Sequence, residues 1–201
     1  DQQAINWFGN QMDKTIAEIA DQFEKFRISD ALHLVYKLIW DDFCSWYLEA
    51  IKPNYGEAIS TEVYDQTIQY FEELMKLLHP FMPFLSEELW QNISERTVEE
   101  ALVIAQQRKV QDYDKELIKQ FDVSKELISG VRNYRQSKGI SPRESVEVFT
   151  NAVFFDNENL VKKLANIEQI HFAEKTDKPT FSFLIGGTEV SIPLSENLDL
   201  G

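Results

Sequence analysis

The sequence predicts a mainly α-helical protein in which an antiparallel helical bundle is followed by a small α+β unit. Apolar residues recur at steps of three and four through most of residues 4–138, which is the period of an α-helix. After Pro142 the period shortens to two, as in a β-strand. The pair Gly186–Gly187 then separates two apolar runs, which is typical of a hairpin. We therefore place a helical-bundle domain at residues 1–140 and a small α+β subdomain at residues 141–201.

The bundle is predicted to form around a central helix at residues 28–53. Apolar side chains cover most of its circumference, so other helices must surround it. Ser29 and Asp30 suit a helix start, and Pro53 follows the end. One face is expected to point into the core, and its members are Ile28, Leu32, Val35, Ile39, Phe43, Trp46 and Ala50.

Four further helices are predicted from the same period, at residues 4–26, 61–79, 83–92 and 110–138. Ser60 is the expected N-cap of the third helix in the chain, and Pro83 the first residue of the fourth. Gly139 is expected to stop the last helix. The short apolar run 101–105 is expected to cross the surface or to pack as an extended piece. In the α+β subdomain we predict strands at 146–150, 169–173, 181–185 and 188–192, with a short helix at 157–167.

Composition limits the class of protein. Hydrophobic residues make up 43% of the chain and aromatic residues 12%, enough for a folded core. The single cysteine excludes an internal disulfide and fits a reducing compartment, so we expect a cytoplasmic location. Neither a membrane span nor a signal peptide is visible, and the chain looks like a fragment of a longer protein. The net charge of −14 argues against a nucleic-acid binder, although a local basic patch stays compatible with it.

The sequence predicts no catalytic residue and no metal ligand. Its three histidines, His33, His79 and His171, are far apart and are expected to be structural or surface residues. Cys44 lies in the apolar helix and is expected to be a buried, inert thiol. The acidic residues occur as adjacent pairs, which point about 100° apart on a helix and cannot face one substrate together.

One stretch, residues 125–143, is basic within this acidic chain. Arg132, Arg135 and Lys138 are its candidates for phosphate contact, because a guanidinium offers a planar set of donors and an ammonium a point charge. The alternative is structural. Arg135 would then form a salt bridge with the acidic bundle, and the other two would be solvated.

Several motifs resemble one family, the valine–tRNA ligases. Residues 41–53, DDFCSWYLEAIKP, are similar to its W-x-x-F-C-x-W-Y-L-E-x-x-K-P helix. Residues 77–91, LLHPFMPFLSEELWQ, resemble a corner shared by the valine, isoleucine and leucine ligases. Residues 131–142, VRNYRQSKGISP, resemble the V-R-x-x-R-x-x-x-x-I-x-P segment, and residues 189–200 resemble the piece before the family's C-terminal coiled-coil arm.

The resemblance implies the anticodon-binding region of a class I ligase that attaches valine to tRNA(Val) using ATP, with Mg, and that edits mischarged products elsewhere. The HIGH and KMSKS signatures of the catalytic domain are absent from the sequence. The implied partners are tRNA(Val) and the catalytic and editing domains of the same polypeptide, with no membrane. Neither ATP nor metal is implied for these 201 residues themselves.

The resemblance also points to individual positions. Leu48, in W-Y-L-E, matches a position that faces the anticodon in the family, and a core leucine is the alternative. Lys52, four residues later, is a further candidate for tRNA contact. Gln11 stands where relatives tend to have arginine, which weakens the case for a phosphate contact there. The family's first bundle helix, with an N-x-x-W-N-x-x-R-F-like motif, would lie upstream of Asp1.

Two other functions remain as alternatives. The first is the same module of an isoleucine–tRNA ligase, because the corner motif is shared, although the motif at residues 41–53 points to valine. The second is a structural or protein-interaction bundle without RNA contact, which the acidic charge favours.

Overall fold

The structure is a computed structural model that describes residues 1–152, 157–172 and 176–194. The chain forms two compact units, Asp1–Asp114 and Lys115–Gly201. The first is helical, and the second combines helices with a four-stranded sheet, so the predicted fold class is confirmed. Along the chain, the second unit begins at Lys115. The predicted boundary near residue 140 separates a helical-bundle domain from an α+β subdomain by function, and it stays a prediction.

The first unit holds five helices and a π-helical segment. They are α1 Gln2–Glu24, α2 Ile28–Lys37, the π segment Leu38–Tyr47, α3 Leu48–Ile51, α4 Thr61–Leu78 and α5 Pro83–Ile93. The backbone keeps helical dihedral angles where α2 joins the π segment and where the π segment joins α3. One continuous central helix therefore runs from Ile28 to Ile51. The expected cap is present, since the Val63 backbone N–H donates to Ser60 Oγ at 3.3 Å. Pro83 is the first residue of α5, as predicted.

Aromatic rings form the centre of this unit. Phe8 on α1 lies 5.3 Å from Phe43, 4.9 Å from Tyr47 and 5.1 Å from Tyr70, measured between ring centroids. All four rings are buried. Aromatic pairs stabilise a fold by more than the burial of their surface area alone. Since these rings come from α1, the central helix and α4, the cluster holds the three helices together.

The predicted inward face of the central helix is partly wrong. Ile28 and Leu32 are exposed, and Ile39 and Trp46 are only half-buried. The buried positions are Ala31, Val35, Leu38, Asp42, Phe43, Tyr47, Ala50 and Ile51. The π segment, in which each turn holds more residues than an α-helical turn, shifts the residues from Leu38 onward around the axis. Ile28 and Leu32 precede it, and they are exposed on the first turns of the helix.

No α-helix occurs between Ile93 and Lys115, a stretch that the structure describes throughout. Two short 3₁₀ turns lie there, Val98–Glu100 just before the apolar run 101–105 and Leu102–Ile104 within it. The backbone N–H of Leu102 donates to Glu87 Oε2 at 2.9 Å, which ties this run to α5. The helix predicted from residue 110 begins only at Lys115, as α6 Lys115–Lys138.

The second unit packs α6 and a short helix on the sheet. Its elements are α6, β1 Val146–Thr150, α7 Glu158–Ala165, β2 Ile167–Phe172, β3 Thr180–Ile185 and β4 Thr188–Pro193. The strand order is β2-β1-β4-β3, with β1 parallel to β2 and antiparallel to β4. Gly186 and Gly187, with φ of 53° and 84°, turn the antiparallel β3–β4 hairpin, as predicted. Ala173, the last residue of the second predicted strand, lies outside the described residues, as do residues 195–200 of the last family motif.

Within the described part of the chain, no helix is long and apolar enough to cross a membrane.

Candidate nucleic-acid interface

The first candidate surface lies at the C-terminal end of the central helix. The π segment is held by its own backbone and side chains, with Ser45 Oγ donating to the Trp40 carbonyl at 2.9 Å. The Tyr47 hydroxyl lies 2.9 Å from Thr67 Oγ1 and so fixes the segment to α4. Single π turns are rare and concentrate at functional sites, and this segment has ten residues.

Leu48, the first residue of α3, is half-buried, while Ala50 and Ile51 after it are buried. Its side chain therefore has packing contacts and an exposed portion at once. Both roles considered for Leu48, core leucine and base contact, stay compatible with this position.

Lys52 directly follows α3 and is exposed. Its ammonium lies 3.5 Å from Glu49 Oε1, and both side chains are more than half exposed. An ion pair of this kind contributes little to stability, so it can exchange for another anion at small cost.

The second candidate surface is the C-terminal end of α6 in the other unit. Arg132 is exposed, and its Nη2 donates to the Leu164 carbonyl at 3.0 Å. Lys138 is exposed, and its ammonium has no ion-pair partner among the described residues. At about 100° per residue, these two side chains point about 120° apart around α6. The two side chains therefore lie on neighbouring faces of the helix and not in one line along it.

Arg135 has a different position, since only 5% of it is exposed. Its guanidinium donates to the carbonyl oxygens of Ala165, of Asn166 at 2.8 Å and of Glu144 at 2.9 Å. Burial lowers the pKa of Arg135, and the negative charge of Glu144 partly offsets that effect. The guanidinium thus joins α6 to the ends of α7 and β1, which favours the structural alternative. Its partners are backbone carbonyls, not the carboxylates of the bundle that the sequence suggested.

An open cavity of about 500 Å³ lies beside these arginines. The lining includes Arg132, Arg135, Gly139, Pro142 and Asn166. Gly139 ends α6 with a φ of 65°, and the Ile140 N–H donates to the Arg135 carbonyl at 2.9 Å. The cavity therefore forms where the chain turns away from the end of α6, and the exposed cation Arg132 lies on its rim.

Cys44 is exposed, so the prediction of a buried thiol is wrong. Partial burial nevertheless raises the pKa of this thiol, which favours the protonated and unreactive form. No group of three or more histidine, cysteine or acidic side chains that could hold a metal ion occurs among the residues that the structure describes.

The central helix carries an exposed aromatic pair that the sequence pattern did not predict. The rings of Tyr36 and Trp40 are stacked 6.4 Å apart at 13°, and both are more than half exposed. In the sequence, this pair contributes only to the apolar residues that cover most of the helix, and that pattern predicted buried side chains.

The helical bundle and the candidate surfaces, one in each unit, suit a protein that binds RNA, and the comparisons identify the class. A family model described as the anticodon-binding domain of tRNA ligase matches residues 6–150, which is more than half of the chain. The chain belongs to this family.

Its relatives make the assignment more specific. The chain is 42% identical to the valine–tRNA ligase of Christiangramia forsetii over 204 residues, and 44% identical to that of Phocaeicola vulgatus over 194 residues. The valine–tRNA ligase of Fusobacterium nucleatum is 34% identical over 194 residues. These matches cover 98%, 95% and 89% of this chain, but only 22–23% of each relative. The resemblance inferred from the motifs is confirmed, and the chain spans less than a quarter of the length of these relatives.

Proposed function

We propose that the chain is the tRNA-recognition module of a valine–tRNA ligase and contacts the anticodon side of tRNA(Val). The observation that carries the proposal is the family match over residues 6–150, together with the three relatives described above, each of which is named a valine–tRNA ligase. The parent enzyme would attach valine to tRNA with ATP and Mg in domains outside these residues, in the cytoplasm. The isoleucine alternative is not better supported by these comparisons.

The two candidate surfaces would have different tasks. Leu48 offers a partly exposed apolar side chain, which suits contact with an unstacked base and so can contribute specificity. Lys52, Arg132 and Lys138 are exposed cations that suit phosphate contact, which contributes affinity without reading sequence. Arg135 would act indirectly, by holding the end of α6 in place.

The net charge of −14 limits the affinity. Because 34 acidic residues outnumber 20 basic ones, the overall field repels tRNA, and the chain alone should bind it no more tightly than roughly 10⁻⁴–10⁻⁶ M. Three phosphate contacts would give an affinity that falls about 20- to 40-fold between about 50 and 200 mM salt.

The test is a fluorescence-anisotropy titration of the chain with tRNA(Val) carrying its own or a swapped anticodon, at low and high salt. Lys138→Ala and Lys52→Ala should each weaken binding. Their matched controls are Lys162→Ala, from an ion pair with Glu158 on α7, and Lys25→Ala, from an ion pair with Asp21 on α1. The controls change the net charge equally and should leave the affinity unchanged.

A structural bundle without RNA contact is the second candidate, favoured by the acidic charge. It requires all four variants to behave alike and the anticodon swap to have no effect. Sub-micromolar binding that is insensitive to salt would also contradict the proposed tRNA interface.

A further inference from the structure

At the other end of the central helix, the chain leaves α1 through an unusual turn. The Phe26 N–H donates to the Phe23 carbonyl at 3.0 Å, and the Arg27 N–H to the Gln22 carbonyl at 2.8 Å. This pair of bonds is the Schellman arrangement, whose C′ residue takes a left-handed conformation and is usually glycine. Here it is Phe26, with a φ of 56°.

Phe26 gains no compensating burial within its own unit, because 89% of it is exposed. A side chain larger than glycine is strained in the left-handed region, because its Cβ crowds the following carbonyl oxygen. An exposed phenyl ring adds nothing to the stability of the unit that bears it. Strained residues of this kind concentrate at active sites, ligand clamps and switch regions.

Phe26 lies three residues after Phe23, and Phe84 lies three residues after Phe81. We call Phe23, Phe26, Phe81, Met82 and Phe84 the aromatic end. The rings of Phe23 and Phe81 lie 6.0 Å apart and stacked, so the end of α1 touches the corner between α4 and α5. On that corner Phe84 is 90% exposed and Met82 46% exposed.

The size of the aromatic end indicates the kind of partner. Its exposed side chains present on the order of 500 Å² of apolar surface, within the range of the largest patches on monomeric proteins, which are often functional. A stable dimer buries about 800 Å² per partner. Contacts between domains of one polypeptide bury about 600–1,500 Å² in total. The aromatic end and a surface of similar size on a partner domain would together bury an area in this range.

We propose that the aromatic end is the docking surface for a folded domain of the same polypeptide outside residues 1–201. The inference rests on the proposed function, because more than three quarters of each matched relative lies outside the part that this chain covers. The aromatic end and Leu48 lie at opposite ends of one helix, roughly 25–30 Å apart along its axis. Docking at one end therefore leaves the candidate tRNA surface at the other end open.

The experiment compares hydrogen exchange of the 201-residue chain with that of the full-length parent enzyme, by mass spectrometry. Peptides covering residues 22–28 and 80–86 should exchange at least severalfold more slowly in the parent. The double variant Phe26→Asn/Phe84→Ser should remove this protection in the parent while leaving the melting temperature of the 201-residue chain no lower. Asparagine is suitable at position 26 because it tolerates the left-handed conformation. The control is Tyr55→Ser, on a fully exposed ring in another loop, which should leave the protection intact.

Equal exchange of these peptides in both proteins would overturn the proposal. So would a dimer of the 201-residue chain that dissociates in the double variant, since the occupant would then be a second copy. Protection that appears only when tRNA is added would assign the surface to RNA instead. Each result is independent of the anticodon titration, so a failure of the proposed tRNA function and a failure of the docking surface can be told apart.

Discussion

The ring of Phe183 on β3 covers Gly130 on α6 so closely that a Cβ at Gly130 would lie 2.1 Å from Cε2 of that ring. This approach lets the helix lie directly on the hairpin. A methyl group there must displace the ring, because three ring carbons would lie within 2.7 Å of it.

Gly130→Ala should therefore destabilise the second unit although alanine is the better helix former. The helix preference favours alanine by about 1 kcal/mol. Overpacking typically costs about 1–3 kcal/mol, so we expect a net loss of about 1 kcal/mol in a urea titration. In a Phe183→Ala background the same change should become stabilising. A gain in stability from Gly130→Ala alone would show that the ring moves aside freely.

Tyr70 should make stability fall at alkaline pH. Its hydroxyl donates to the Ile5 carbonyl at 2.9 Å, and burial, followed by the effect of Tyr47, raises its pKa to about 12. The unfolded phenol releases its proton near pH 10, so the folded state binds more protons between those values. The contribution of Tyr70 is complete below about pH 10 and is lost as the pH rises to about 12.

The measurement is the free energy of unfolding as a function of pH. Tyr70→Phe should flatten its slope between about pH 10 and 12, and should cost about 1 kcal/mol at neutral pH through the lost hydrogen bond. Tyr55→Phe, on a fully exposed ring, should keep the original slope. An unchanged slope in Tyr70→Phe would contradict the assignment.

Arg108→Met should destabilise the first unit by about 2–3 kcal/mol. Arg108 Nη2 lies 2.5 Å from Oδ2 of Asp13, a carboxylate that is only 5% exposed. Removing the cation leaves this buried charge unpaired, although Arg108 is itself a quarter exposed and water can partly replace it. Thermal or urea unfolding measures the loss. Adding Asp13→Asn to the variant should recover part of the loss, and no recovery would mean that packing, not charge, is responsible.

Arg135→Lys and Lys138→Ala should separate structure from tRNA contact. A lysine cannot donate to three carbonyls in the geometry of a guanidinium, so Arg135→Lys should cost about 2–3 kcal/mol of stability. Lys138→Ala should leave stability within about 0.5 kcal/mol and lower the salt slope of tRNA binding by about one. The proposed division of roles would be wrong if Arg135→Lys weakened tRNA binding while the fold kept its full stability.

Leu48→Ala should reduce the preference for the valine anticodon more than it reduces stability. A half-buried leucine should cost about 1 kcal/mol, whereas Leu74→Ala, at a fully buried position, should cost about 2–5 kcal/mol. The readouts are urea unfolding and the ratio of affinities for the two anticodons. A stability loss as large as that of Leu74→Ala, with an unchanged ratio, would identify Leu48 as a core residue.

Helix and strand periods in the sequence predicted the elements and the hairpin because those patterns depend on local contacts. They did not predict the π segment, so the inward face was displaced after Val35. They did not predict the left-handed Phe26 either, because the local signal for such a turn is glycine. The role of Arg135 depends on carbonyls about 30 residues further along the chain, which no local pattern reveals.

The ten residues of the π segment rotate the side chains that follow them about the axis of the central helix, relative to their directions in a regular α-helix. Removing one residue between Leu38 and Tyr47 would turn every later side chain by about 100° about the helix axis. Leu48 would then point in a new direction, even with each downstream residue unchanged. The number of residues in this stretch, more than their identity, sets the direction in which the last turn of the helix presents its side chains.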